Sequence, residues 1–138
     1  MAQNLKNHLR FFPPFHFLAV PLTLIGVALS VYQVVQNQSL ISWLIILLFF
    51  LMFIAVFLGR FFSIKVQDRI IRTEENLRYF ILTGTPLPET LTLAQIIALR
   101  FASQEEFLAL TDRTVKENLS PKEIKEAIKN WRADDYRV

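Results

Sequence analysis

The chain has 138 residues, enough for one domain, and 53% of them are hydrophobic, with thirteen phenylalanines against three glycines. It contains no cysteine, which excludes disulfides, thiolate metal sites and thiol catalysis together. Fifteen basic against twelve acidic residues leave a net charge of +3, and nearly all of that charge falls before Phe11 or after Gly59.

Residues 1–14 end in "NHLRFFPP", a basic and aromatic stretch closed by a proline pair. Proline is tolerated in the first helical turn, where its missing N–H has no partner, so Pro13 and Pro14 set where the first helix begins. Lys6 and Arg10 are candidate contacts to anionic headgroups, with Phe11, Phe12, Phe15 and Phe17 as aromatic bulk beside them. A haem or metal reading would need two imidazoles facing one plane. His8 and His16 lie on opposite sides of the proline pair, and the chain has no third histidine. No cofactor and no metal ligand set is expected, and the stretch reads as an interfacial collar.

Residues 15–35 form the first expected membrane span. A signal peptide is the rival reading, but signal h-regions run about 7–15 residues and end in a small-residue cleavage site. This run is longer and offers no such site. Residues 36–40, "QNQSL", make a short uncharged connection. Residues 41–62 contain "SWLIILLFFLMFIAVFLG", without a charge, and match the ~20 residues that cross a hydrocarbon core. Two spans joined by so short a loop imply an antiparallel hairpin. Lys6 and Arg10 precede it and Arg60, Lys65, Arg69 and Arg72 follow it, whereas the loop has neither Lys nor Arg. The positive-inside rule then places both termini in the cytoplasm, with Trp43 as an interfacial anchor outside. Arg60 and Lys65 are the matching headgroup candidates on the far side of the second span.

Within the first span His16, Ala19, Thr23, Gly26, Ser30 and Gln33 recur at alternating spacings of three and four. That is the pattern of a coiled-coil seam, here composed of small and polar residues. Membrane helices associate through small residues and interhelical hydrogen bonds, so this stripe should face protein rather than lipid. Ala55 and Gly59 are the expected small positions opposite it, with Phe50, Phe53, Phe57 and Phe61 forming a ridge. The seam either packs within the chain, meets another protomer or partner subunit, or lines a narrow polar path.

Residues 63–83 continue the second span as a helix with an apolar stripe at Val66, Ile70, Leu77 and Ile81. Its polar side offers i,i+4 pairs at Asp68–Arg72 and Glu74–Arg78. Thr83, Gly84 and the prolines of "TPLPE" end it. Residues 84–138 then hold three short helices opened by "TLAQ" at Thr92, "SQEE" at Ser103 and "SPKE" at Ser120, each with capping-box spacing. Their expected apolar faces are Leu93, Ile96, Ile97, Arg100 and Phe101; Phe107, Leu108, Thr111 and Val115; and Ile124, Ala127, Ile128 and Trp131. From Thr92 to Val138 eight basic residues face eight acidic ones. A net of zero is a poor footprint for phosphate binding and argues against a nucleic-acid partner. No phosphate loop, nucleophile constellation or zinc-protease motif is present, so no enzyme is expected.

The combination of "NHLR" before a proline-led span, "QDRIIRTEENLR" after the second, "LTLAQIIALRFASQEEF" and "NLSPKEIKEAIKNWRADDYRV" resembles an uncharacterised family (a domain of unknown function) of small two-span bacterial membrane proteins. The resemblance covers nearly the whole chain. It implies a multi-pass protein of the bacterial inner membrane and the same hairpin-plus-helical-tail layout, with no activity to carry over. The expected fold is all-α: a transmembrane hairpin, an extension helix and a small cytoplasmic helical bundle. The expected role is that of an accessory, scaffolding or self-assembling subunit whose partners are the lipid bilayer and a membrane protein or a second copy. The alternatives are a membrane-tethered regulator binding a soluble protein or, ranked below that, nucleic acid, and an oligomeric pore or carrier.

Overall fold

A computed structural model describes residues 12–134. Lys6, His8 and Arg10 of the expected collar lie outside the described residues. Within them the chain is all-α. A π-helical turn, Pro14–Ala19, leads into α1 (Val20–Gln36), followed by α2 (Leu40–Thr83), α3 (Leu93–Leu99), α4 (Gln104–Glu117) and α5 (Pro121–Ala127). No strand forms among these residues, only an isolated antiparallel bridge between Ala102 and Trp131. Two helical runs, Pro14–Gln36 and Leu40–Thr83, are long and apolar enough to cross a membrane. The described residues divide into two compact units, 12–64 and 65–134, with α2 contributing to both.

In the first unit, Pro13 and Pro14 stand at the start of the helical run, where the amides of Phe15 and His16 donate to the Phe12 carbonyl at 3.1 and 3.0 Å. The widened turn has a local cause. Pro21 brings no N–H and its ring crowds the carbonyl four residues back, so the chain before it opens into longer-range bonds such as Val20 N–H to Phe15 O. Ser39 opens α2: its Oγ accepts from the Ser42 amide at 3.2 Å and lies 2.9 Å from the Ser42 hydroxyl. Buried residues are few and mostly small, namely Thr23, Gly26, Ser30 and Val34 on α1 and Ser42 on α2. The large aliphatic and aromatic side chains of both helices are exposed for the most part.

The second unit has a conventional core. Phe101 and Phe107 are fully buried among Ile96, Leu99, Leu119 and Ile124, and Tyr79 and Leu82 of α2 pack against them. Both halves of the capping box form at Thr92–Gln95 and at Ser120–Glu123. At Ser103 only one half forms: its Oγ accepts from the Glu106 amide, while the Glu106 carboxylate receives the Lys129 and Asn130 amides instead. Gly84, at φ +75°, ends α2 in the left-handed region that glycine tolerates, and its amide donates to Phe80 O at 2.8 Å.

Several expected faces are shifted. Val66, Ile70, Leu77 and Ile81 of α2 are exposed, and the helix turns Ile71 and Glu75 inward. Its rotation is set by polar anchors rather than by the aliphatic stripe. Arg78 Nη2 donates to Ala102 O at 3.0 Å and Asn76 Oδ1 accepts from the Leu87 amide at 2.9 Å. The expected Glu74–Arg78 pair is replaced by Glu75–Arg78, and no ion pair joins Asp68 to Arg72 among the described residues. Ile96 of α3, and Arg100 and Phe101 just after it, are buried as expected, but Leu93 is exposed. On α4 the buried face is Phe107, Leu110, Thr111 and Thr114, while Val115 is exposed. The two threonines tolerate burial because each hydroxyl donates at 2.7 Å to a carbonyl one turn back. The expected helical stripe through Trp131 is broken, since α5 stops at Ala127 and Ile128 is already extended.

Candidate functional site

The sequence-predicted seam on α1 is gathered in its middle and lost at its end. Thr23, Gly26 and Ser30 are buried, His16 and Ala19 are half-buried, and Gln33 is exposed with Val34 buried in its place. A straight helix drifts about 20° per heptad from a 3.5-residue repeat, which carries the face from Gln33 to Val34 over this length. The partner positions differ from expectation. Ala55 and Gly59 are exposed, and a Cβ at Gly59 would meet nothing within 4 Å. Gly26 instead lies against Phe49, whose ring occupies the space a side chain there would need. Near the start of the run, Phe15 meets Phe57 edge-on with ring centroids 6.1 Å apart, and the Arg60 guanidinium stands 5.6 Å from the Phe15 centroid. His16 Nδ1 lies 2.9 Å from Phe12 O. Of the expected ridge, Phe53 is half-buried and Phe50, Phe57 and Phe61 are exposed; Lys65 is exposed as well.

The hydroxyls of the seam are satisfied locally. Thr23 Oγ1 donates to Ala19 O at 2.7 Å, and Ser30 Oγ to Val27 O at 2.8 Å. With those donors occupied within their own helix, the seam packs by shape at Gly26 rather than by hydrogen bonds through Thr23 and Ser30.

A second constellation, in residues 65–134, was not picked out by sequence reasoning. Glu75 is 4% exposed, and its carboxylate lies between two arginines, with Arg78 Nη1 at 3.2 Å and Arg132 Nη1 at 3.6 Å. Arg100 Nε pairs with Asp134 at 3.0 Å. The guanidinium of Arg78 stacks 4.1 Å from the Phe107 centroid and that of Arg100 4.3 Å from the Phe101 centroid. Glu75, Arg78, Arg100, Arg132 and Asp134 line an open cleft of about 800 Å³ together with Ile71, Leu77 and Ile81. The signal for it was present in phase rather than in composition. Glu75 follows Ile71 by one turn and precedes Tyr79 and Leu82, so it lies on the inward stripe.

The whole chain, residues 1–138, matches the family of unknown function DUF6526. It belongs to that family. No curated protein and no solved structure matches it. The DUF6526 match spans both units, so the α1 seam and the arginine cluster both lie within the matched residues.

In this DUF6526 chain the electrostatics of the cluster are governed by burial. Removal from water raises the Glu75 carboxyl above its ordinary range, and the attraction of Arg78 and then Arg132 offsets that only in part. The same burial pulls the Arg78 guanidinium below its ordinary value despite Glu75 beside it. Arginine still remains charged, so Glu75 keeps a cation beside it.

Proposed function

We propose that this protein is a non-enzymatic integral membrane protein. Its two apolar helices cross the bacterial inner membrane with both termini cytoplasmic, and it acts by binding, as an accessory, scaffolding or self-assembling subunit. One observation carries the reading. Along α1 and the first part of α2 the large apolar side chains, from Phe17 and Leu22 to Leu44, Leu48 and Leu58, are exposed. Contiguous apolar surface of this extent needs an apolar environment, and a bilayer supplies one. The absence of Lys and Arg between Arg10 and Arg60 supports the orientation.

A reporter active only outside the cytoplasm should work when inserted after Gln38 and be silent when fused after Val138. The chain should also stay with the membrane pellet in alkaline carbonate. Release into the supernatant, or the reverse pattern of reporter activity, overturns the reading.

The cleft at Arg78, Arg100 and Arg132 favours a second reading, a membrane-tethered regulator. Its charged and aliphatic walls suit an extended segment of a soluble protein that brings both acidic and apolar side chains.

A further inference from the structure

The segment of α2 beyond residue 64 carries an exposed apolar face, whose Leu77 also borders the arginine cleft. Val66, Ile70, Leu77 and Phe80 are 56, 52, 57 and 50% exposed, and Thr73 between them is exposed too. Their spacing is four, three, four, three, which places Ile70 and Leu77 at heptad position a and Val66, Thr73 and Phe80 at d. The residues that pack inward, Ile71, Glu75, Arg78, Tyr79 and Leu82, fall at b, c and f on the opposite side. Counted back in the sequence, the same register meets Ser63 and Gly59, small residues that allow close approach. Thr73 Oγ1 donates to Arg69 O at 3.0 Å, so its hydroxyl makes no demand on whatever covers the seam.

Two details identify the occupant. A shallow groove of about 380 Å³ lies on this face, lined by Val66, Arg69, Ile70, Thr73 and Glu74. The first four are the d, g, a and d positions that form the four-residue hole receiving an a-position knob from a parallel neighbour. The flanking charges agree. Arg69 is at g and Glu74 at the following e, so two parallel, in-register copies set Arg69 of each against Glu74 of the other. An antiparallel pair centred here would set g against g and e against e, arginine on arginine and glutamate on glutamate.

We propose that this face is the docking surface for a second copy of the chain, with α2 pairing in parallel over residues 66–80. The inference rests on the membrane reading above. Insertion in one orientation makes the copies parallel, and confinement to one bilayer raises the effective concentration that a seam of two heptads needs.

The test uses the full-length, cysteine-free chain in membranes with single cysteines introduced at the seam. Val66→Cys, Ile70→Cys and Leu77→Cys should each give disulfide-linked dimers on mild oxidation, and Arg72→Cys, exposed at position c, should give several-fold less. In the Ile70→Cys background, Arg69→Glu or Glu74→Arg should lower the dimer fraction several-fold, and the two reversals combined should restore it. Equal crosslinking at Arg72 and the seam, crosslinks only to another protein, or no restoration by the double reversal overturns the proposal. Carbonate extraction of the same samples separates the two ideas. Chains retained in the membrane without seam crosslinks sink the pairing alone, whereas chains released from it sink the membrane reading first.

Discussion

Two glutamates show how single residues decide the second unit. Glu106 stands where a capping box would turn its carboxylate back on Ser103. It accepts instead from Lys129 N at 3.1 Å, Asn130 N at 3.2 Å and Asn130 Nδ2 at 3.2 Å. That clamp halts α5 and lays the following residues along α3's end, where the Arg132 amide donates to Phe101 O at 2.8 Å and Trp131 sits 5.1 Å from the Phe101 ring. Glu106→Ala should therefore destabilise the unit by about 1–3 kcal/mol, because it strands amides that have no helical partner. Faster proteolytic cutting after Lys129 would register the loss, and unchanged resistance would show that water serves those amides equally well. Glu75 acts in the opposite sense. Its folded pKa lies above the reference 4.5, so between those values the folded state holds a proton that the unfolded state has lost. Stability at this site is thus fully present below the reference value and declines as pH rises through the raised one. Glu75→Gln should remove that part of the slope in a pH series of protease resistance. An identical slope in the variant would place the dependence elsewhere.

At the scale of elements, helix faces were less legible than helix ends. The starts at Thr92, Ser103 and Ser120 and the stop at Gly84 could be read because caps are local chemistry between residues three or four apart. Faces depend on what lies opposite, and on α2 a buried ion pair and two backbone anchors outweighed an aliphatic stripe. For α4 the buried threonines were hidden by their polarity, which their own helix neutralises. The α1 seam was legible in its small residues but not in its partner, because a glycine does not reveal that a phenylalanine will fill its space. Gly26→Leu should force Phe49 aside at a cost of about 1–3 kcal/mol. Gly59→Leu, on an open face, should disturb nothing within the chain. A cysteine pair at positions 30 and 45, which leaves Gly26 and Phe49 in place, reports the difference: it should crosslink in the parent and in Gly59→Leu, and weakly in Gly26→Leu. Equal effects of the two leucines would show that the Gly26 contact does not hold α1 to α2.

For the whole molecule, all-α architecture, the two long apolar runs and the family were open to sequence reading because each is a property of long stretches. The arginine cluster was not, since it joins residues from Glu75 to Asp134 that only the fold brings together. The locally bonded hydroxyls of α1 carry one more consequence. Between His16 and Arg60 the chain holds no Lys, Arg, Asp or Glu, and the Thr23 and Ser30 protons point into their own helix. A transmembrane voltage does work only on charge that moves, about 2.3 kcal/mol per elementary charge at 100 mV, and a proton wire needs hydroxyls able to turn and pass hydrogen along. Placed in a bilayer, the stretch between His16 and Arg60 holds no formal charge on which a transmembrane potential could do work.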